Sequence, residues 1–146
     1  MTSHSLNLIL KLCGEYGGRY DVRIAVLDDN LIISEMLQQG LELDGQTVVA
    51  YSSPSKFLID INAKEAKMAA APFDLIIVDL LLPERTSGVE VIHQVRNIFP
   101  DLPAILISAG SSLEVEAARR ALPGVRVLRK PFRIAALLTM MKELTT

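Results

Sequence analysis

From Asp21 onward the apolar residues of the chain fall into two kinds of segment. Short runs of β-branched and aliphatic residues predict β-strands, and longer segments with helical spacing lie between them. Three of the short runs are apolar almost without a break, which is typical of strands covered on both faces. The five predicted strands are 23–27, 47–50, 75–78, 104–107 and 125–128.

Each predicted strand is followed by a helix start signal. The signals are N-cap residues, prolines in the first turn and one capping-box spacing, and they occur at Asn30, Ser53-Pro54, Ser87, Ser111 with Glu114, and Pro131. The first helix is predicted to run to about Glu42, with Leu31, Met36, Leu37 and Leu41 on its buried face. Residues 62–72, with their run of alanines, are predicted to be a frayed helix end and a loop.

Five strands alternating with five helices predict an α/β fold of the flavodoxin type, written (βα)5. Its five-stranded parallel sheet would be doubly wound, with helices on both faces. Residues 21–146 would form this one domain, and residues 1–20 an N-terminal arm. The arm is expected to be a short helix and a flexible link. Alternatively, its apolar residues, Leu6, Leu8, Ile9 and Leu12, would dock on a partner or on a second copy.

Composition narrows the class of protein. A net charge of −2 over 146 residues is too mild to suggest nucleic acid or an anionic membrane as a main partner. No stretch approaches the ~20 apolar residues that span a bilayer. The single cysteine, Cys13, excludes an internal disulfide. These features indicate a cytoplasmic protein.

Polar residues follow the predicted strands at their carboxyl ends, the edge at which doubly wound sheets bind ligands. They are Asp28-Asp29, Asp79, Ser108 and Lys130, each directly after an apolar run. Carboxylates brought together in a low dielectric repel one another, and a divalent cation relieves that repulsion. Oxygen ligands from two carboxylates with water and phosphate are typical of Mg²⁺.

The same residues have the chemistry that phosphoryl transfer requires, namely an oxygen nucleophile, a metal and donors for the phosphoryl oxygens. Asp79, on the central strand, is the candidate nucleophile. Lys130 would supply a fixed positive charge, and the Ser108 hydroxyl a hydrogen bond. The backbone amides of Leu80 and Ala109 would add neutral donors.

In these features the chain resembles the response-regulator receiver domains of two-component signalling. The resemblance covers about residues 21–146 and lies in an acidic pair, an aspartate followed by a proline, a serine and a Lys-Pro pair at successive strand ends. These are Asp28-Asp29, Asp79 with Pro83, Ser108-Ala109 and Lys130-Pro131. The resemblance implies that Asp79 takes a phosphoryl group from a phosphohistidine on a sensor histidine kinase or a histidine phosphotransfer protein.

The resemblance also implies roles for the surrounding residues. Asp29, Asp79 and the Leu81 carbonyl would ligate Mg²⁺, with Asp28 acting through water. Lys130 and Ser108 would contact the phosphoryl group, and Ser108 would shift toward it. The helix-strand-helix face in residues 112–145 would contact a downstream protein or form a homodimer. Such a protein signals rather than acting as an enzyme.

Three features depart from the pattern of the family. The loop from Pro83 to Gly88 looks one residue longer than usual, the segment from Ala63 to Pro72 lengthens the link into the third strand, and Val127 stands where an aromatic residue is common. Val127 therefore leaves open how a phosphorylated state is transmitted. Leu81, two residues after Asp79, offers no hydrogen bond to orient water, and this predicts slow self-dephosphorylation.

Other classes of protein fit the residues less well. An aspartate-nucleophile phosphatase of the haloacid dehalogenase type usually has a second aspartate two residues after the nucleophile, where this chain has Leu81. A flavodoxin-like binding module would need a hydroxyl- and glycine-rich loop after the first strand, where this chain has Asp28-Asp29. The chain ends shortly after the last predicted helix, which indicates a stand-alone receiver, but a domain cut from a longer regulator would look the same.

Overall fold

The computed structural model describes residues 21–65 and 71–145. Within them, five strands alternate with five helices, which confirms the predicted fold class. The N-terminal arm lies outside the described residues. The strands are β1 (Arg23–Leu27), β2 (Thr47–Tyr51), β3 (Leu75–Asp79), β4 (Ala104–Ser108) and β5 (Arg126–Arg129). The helices are α1 (Leu31–Leu43), α2 (Pro54–Glu65), α3 (Gly88–Ile98), α4 (Ser112–Ala121) and α5 (Ile134–Thr145).

The five strands form one parallel sheet in the order β2-β1-β3-β4-β5. The chain leaves β1 toward β2 on one side and returns to β3 on the other, so the strand order reverses between β1 and β3. This reversal opens a crevice at the carboxyl ends of those two strands, where Asp28 and Asp79 lie. None of the helices in residues 21–65 and 71–145 has the length and apolar character of a membrane span.

Each face of the sheet has its own apolar core. Alternate residues of the central strands point to opposite faces, as the twofold period of a strand requires. One face is covered by α1 and α5, which bury aliphatic side chains such as Leu37 and Leu137. The other is covered by α2, α3 and α4, where Phe57 packs edge-on against Tyr51. Each fully buried aliphatic side chain stabilises the fold by about 2 kcal/mol relative to its exposure.

The helix caps confirm the predicted start signals at four places. The Asn30 side chain accepts hydrogen bonds at the start of α1, and Ser53 accepts from the Lys56 amide where α2 begins at Pro54. Ser87 caps α3, and Ser111 forms a capping box with Glu114 at the start of α4. The last helix begins at Ile134, so its predicted start at Pro131 is three residues too early.

The buried face of α1 differs from the prediction. Leu37 and Leu41 are buried as predicted, but Leu31 is 68% exposed and Met36 is 36% exposed. The third buried residue is Ser34, because positions 34, 37 and 41 share one face of the helix. Met36 is one step of about 100° away from that face. Leu31 lies in the first turn of α1, directly after the N-cap residue Asn30.

Candidate functional site

Four polar residues lie at the carboxyl edge of the sheet. Asp28 follows β1, Asp79 ends β3, Ser108 ends β4, and Lys130 follows β5. The register of the parallel strands aligns these ends, since Leu27 pairs with Val78 and Asp79 pairs with Ile107. Residues distant in sequence therefore form one cluster, as the apolar runs before them predict.

Lys130 bridges two carboxylates at the centre of this cluster. Its Nζ lies 3.1 Å from Asp79 Oδ2 and 3.2 Å from Asp28 Oδ2. The Asp28 side chain is fully buried, and those of Asp79 and Lys130 are 10% and 16% exposed. Charge-assisted hydrogen bonds in such a water-poor place are stronger than those at the surface.

Burial and repulsion dominate the titration of Asp79. Burial raises the pKa of its carboxyl group, and the negative charge of Asp28 raises it further. The hydrogen bond and charge of Lys130 act in the opposite direction but do not restore the ordinary value. Burial alone would lower the pKa of Lys130, yet its hydrogen bonds and charge contacts with the two aspartates leave that pKa raised. The lysine is therefore a permanent cation, and burial and the charge of Asp28 disfavour the ionised form of Asp79.

The acidic residues are close enough to share one cation. Asp28, Asp29 and Asp79 each offer a carboxylate oxygen, and these three atoms lie within 4.8 Å of one another. Asp28 and Asp79 are buried, whereas Asp29 is exposed. Three hard oxygen donors with one side open to solvent fit Mg²⁺, which keeps several of its waters. The donor set therefore agrees with the cofactor expected from the sequence.

The two oxygens of Asp79 meet different donors. Oδ2 accepts from Lys130, and Oδ1 lies 3.4 Å from the Leu81 backbone amide. The Leu80 amide instead donates to the Ile107 carbonyl at 2.8 Å, continuing the β3–β4 ladder past its last paired residue. The Leu80 amide is therefore already used in the sheet, and the amide that faces the Asp79 carboxylate is that of Leu81. A pattern of strand ends cannot show which amide of a turn faces the carboxylate.

Ser108 lies at the end of β4 with its side chain inside the protein. The residue is 2% exposed, and its Oγ accepts a hydrogen bond of 2.9 Å from the Gly110 amide. Ala109 is exposed between them. The Gly110 carbonyl accepts from Arg129 Nη2 at 3.0 Å, which connects this turn to the end of β5. Val127 is half-buried in the same strand.

The loop after β3 forms a short hairpin. Leu81 and Ser87 pair in an antiparallel bridge, and the Thr86 amide donates to the Pro83 carbonyl. At its tip, Glu84 and Arg85 have φ angles of 65° and 53°. Left-handed conformation costs a residue with a side chain roughly 1–2 kcal/mol. The loop from Pro83 to Gly88 thus contains a tight turn at its tip.

Two residues that sequence patterns did not single out also define this end of the sheet. Glu84 reaches from the hairpin to the start of α2, where it accepts hydrogen bonds from Ser53 and Ser55. Gly88 begins α3 against the end of β3, and a Cβ atom there would lie 2.4 Å from the Asp79 carbonyl oxygen. For Glu84 and Gly88 alike, the sequence signal was the predicted extra length of the loop from Pro83 to Gly88.

Comparisons with known proteins agree on one family. The response regulator receiver domain family matches residues 24–142. The response regulator MprA of Mycobacterium ulcerans is 32% identical over 124 residues, which are 84% of this chain and 50% of that protein. The probable transcriptional regulatory protein TcrX of Mycobacterium tuberculosis is 28% identical over 84% of this chain and 49% of its own length. The chain thus spans about half the length of these relatives.

Solved structures give the same result for the fold. A response regulator receiver protein from Sinorhizobium medicae has a TM-score of 0.73 at 28% identity, covering 86% of this chain and 94% of its own. The chemotaxis protein CheY4 of Vibrio cholerae has a TM-score of 0.70 at 25% identity, covering 85% and 98%.

Proposed function

Because the chain belongs to the response regulator receiver domain family, we propose that it accepts a phosphoryl group on Asp79 within a two-component system or phosphorelay. One observation carries the proposal. The buried Asp79 carboxylate has the Lys130 ammonium on one oxygen and the Leu81 amide near the other. A nucleophile placed between two fixed donors suits a reaction in which oxygen charge is redistributed.

The donor we propose is a phosphohistidine on a sensor histidine kinase or a histidine phosphotransfer protein. An Asp79 oxygen attacks the phosphorus atom, a P–O bond forms, and the P–N bond to the imidazole breaks. The imidazole leaves with the bonding electron pair. Lys130, already held by Asp28, keeps its charge beside the incoming phosphoryl oxygens. The Ser108 hydroxyl and the Leu81 and Ala109 amides would donate to the remaining oxygens.

Asp29, Asp79 and the Leu81 carbonyl would hold Mg²⁺, with Asp28 contributing through water. The ion would offset negative charge on the phosphoryl oxygens. Two hydrogen bonds hold the Asp28 carboxylate in place. Its Oδ1 accepts from the Asn30 amide at 2.9 Å, and its Oδ2 accepts from Lys130. Residue 81 is a leucine, 63% exposed, so this position offers no general acid for a phosphatase.

For the output, we propose contact of residues 112–145 with a downstream protein or with a second copy. In the described part of this face, Arg126 and Glu143 form an ion pair of 2.6 Å that joins β5 to α5. Direct binding of nucleic acid or membrane is not expected from a chain with a net charge of −2. We place the protein in the cytoplasm, where a histidine kinase would reach it.

Acetyl phosphate tests the proposal without a partner protein. The chain is incubated with acetyl phosphate and MgCl₂, and its intact mass is measured beside Asp79→Asn and beside a sample in EDTA. We expect one phosphoryl adduct in the wild type with Mg²⁺, and little in the other two samples. No adduct in the wild type, or an equal adduct in Asp79→Asn, would overturn the proposal.

A further inference from the structure

The sequence at the tip of the hairpin after β3 is unfavourable for the turn that it forms. Residues 83–86 form a turn in which both central residues have positive φ, and the Thr86 amide donates to the Pro83 carbonyl. This is the pattern of a type I′ turn, which strongly favours Asn-Gly or Gly-Gly. The central residues here are Glu84 and Arg85, so the local sequence opposes the conformation that it adopts.

The contacts of Glu84 outside the hairpin oppose this local preference. Its Oε1 accepts a hydrogen bond of 2.7 Å from Ser53 Oγ, and its Oε2 accepts from Ser55 Oγ. Ser53 in turn caps α2, because its Oγ accepts from the Lys56 amide at 3.3 Å. The hydrogen bonds from Ser55 and Ser53 lower the pKa of Glu84, so its carboxylate is charged at neutral pH.

The start of α2 favours such a carboxylate for a second reason. The first amides of a helix lack partners within the helix, and their dipoles favour negative charge. No acidic residue stands in the first turn of α2 itself. Glu84 supplies the missing negative charge from another loop, so a helix end and a hairpin tip stabilise each other.

The other end of the hairpin lies at the proposed reaction centre. Leu81 is the first residue of the Leu81–Ser87 bridge, and its amide lies 3.4 Å from Asp79 Oδ1. The Leu82 amide donates to the Thr86 carbonyl at 3.3 Å, and this bond connects the tip to the base. The orientation of the Leu81 backbone therefore depends on whether the hairpin keeps its shape.

We propose that Glu84 is a positioning residue that fixes the Leu81 backbone beside Asp79 by bonding the hairpin tip to Ser53 and Ser55 at the start of α2. The proposal rests on the proposed function in one respect, since the Leu81 carbonyl is an expected Mg²⁺ ligand. The geometric part, that Glu84 fixes the shape of the hairpin, concerns the metal-free protein and can be measured in it alone.

Hydrogen exchange of the Leu82 and Thr86 amides tests the geometric part in EDTA. Glu84→Ala should speed exchange of both amides by on the order of tenfold, because the hairpin opens locally more often. Ser55→Ala should have a smaller effect in the same direction, and the double variant should exchange no faster than Glu84→Ala. Glu35→Ala, which removes an exposed glutamate from α1, is the control and should leave both rates unchanged. Unchanged exchange in Glu84→Ala would overturn the proposal.

A charge-matched pair of variants tests the effect on the metal site. Glu84→Ala with Arg85→Ala removes both charges and keeps an unfavourable turn, whereas Glu84→Asn with Arg85→Gly removes the same charges and creates a favourable one. Calorimetric titration with MgCl₂ should show roughly tenfold weaker binding for the first pair, as for loss of an outer-shell contact. The second pair should bind nearly as well as the wild type. Equal affinities for the two pairs would overturn positioning. If the wild type itself bound no Mg²⁺, the proposed function would fail, and the exchange rates would still decide the role of Glu84.

Discussion

The Lys130 ammonium lies 3.1 Å from the Asp79 carboxylate, although 51 residues separate the two in sequence. The same ammonium contacts Asp28, so one cation is shared by two buried carboxylates. Burial raises the pKa of Asp79 and the negative charge of Asp28 raises it further, so this pKa stays above its ordinary value of 3.8 despite the lysine. The stability of the protein should depend on this imbalance.

Asp79→Asn should stabilise the metal-free protein at pH 7. A carboxyl group whose pKa is raised by folding binds more protons in the native state, so stability falls as pH rises from about 4 through the raised pKa. The asparagine side chain has no charge to bury, so this loss of stability disappears. Its amide oxygen can still accept a hydrogen bond from Lys130. Thermal unfolding in EDTA should show a Tm higher by roughly 2–4 °C, as about 1 kcal/mol gives in a domain of this size.

The same variant should also flatten the dependence of Tm on pH between 4 and 7. With saturating MgCl₂ the wild type should gain more stability than Asp79→Asn. If Asp79→Asn were less stable than the wild type in EDTA, the charge of Asp79 would not be destabilising, and the prediction would be wrong.

Lys130→Ala should destabilise the metal-free protein, because it leaves Asp28 and Asp79 facing each other without a cation. We expect a loss of about 2 kcal/mol at pH 7, the scale for removing a charged hydrogen-bond partner. The loss should become smaller as pH falls, because protonation of Asp79 relieves the repulsion. Urea unfolding in EDTA over a series of pH values measures this, with Lys56→Ala as the exposed-lysine control.

Lys130→Ala should also bind Mg²⁺ more tightly than the wild type, because a competing positive charge is gone. Calorimetric titration of both proteins with MgCl₂ measures the two affinities. Weaker binding would show that the lysine organises the carboxylates more than it competes for them.

Leu81→Asn should shorten the lifetime of the phosphorylated state. Leu81 is exposed beside Asp79, and its apolar side chain offers no hydrogen bond to orient an attacking water molecule. An amide there can do so, and we expect phosphate release to be roughly several times faster, well below the 10²–10⁴-fold effect of a positioned general acid or base. Release of inorganic phosphate after removal of acetyl phosphate is the measurement. Leu113→Asn, at an exposed position on α4, is the control, and slower release from Leu81→Asn would refute the idea.

Gly88→Ala should destabilise the protein even though alanine is the better helix former. The new Cβ would lie 2.4 Å from the Asp79 carbonyl oxygen and 2.8 Å from a methyl group of Leu106. Backbone cannot move aside cheaply at the end of a central strand, so we expect a loss of about 2 kcal/mol, typical of an overpacked core. At Gly40 the atoms within 3 Å belong to the Ile134 side chain, which can rotate. Gly40→Ala should therefore cost less in the same urea unfolding experiment.

The sequence predicted the fold well because the core strands carry their own signal. The strands β1, β3 and β4 are buried on both faces, so unbroken apolar runs such as Leu75 to Val78 predict their position and their central place in the sheet. Polar residues directly after those runs must lie at one edge, and this predicted the cluster of Asp28, Asp79, Ser108 and Lys130.

Features set by local geometry could not be predicted in this way. The choice between the Leu80 and Leu81 amides depends on how the chain turns after β3, and both residues are leucines. The contact of Glu84 with Ser53 and Ser55 joins the hairpin to the start of α2, about 30 residues earlier in the chain, and no periodicity encodes it. Leu31 is exposed although it lies three residues before the buried Ser34, and helical spacing alone does not reveal that exposure.

The bridging position of Lys130 affects how phosphorylation should depend on ionic strength. Three carboxylates and one ammonium give the pocket a formal charge of −2, and an aspartyl phosphate would make it more negative. An anionic phosphate donor is therefore repelled from the bare pocket, and added salt should weaken that repulsion. A bound divalent cation would bring the pocket close to neutrality, so the approach of the same donor would become nearly insensitive to salt. The salt dependence of phosphorylation would then report the charge of the pocket.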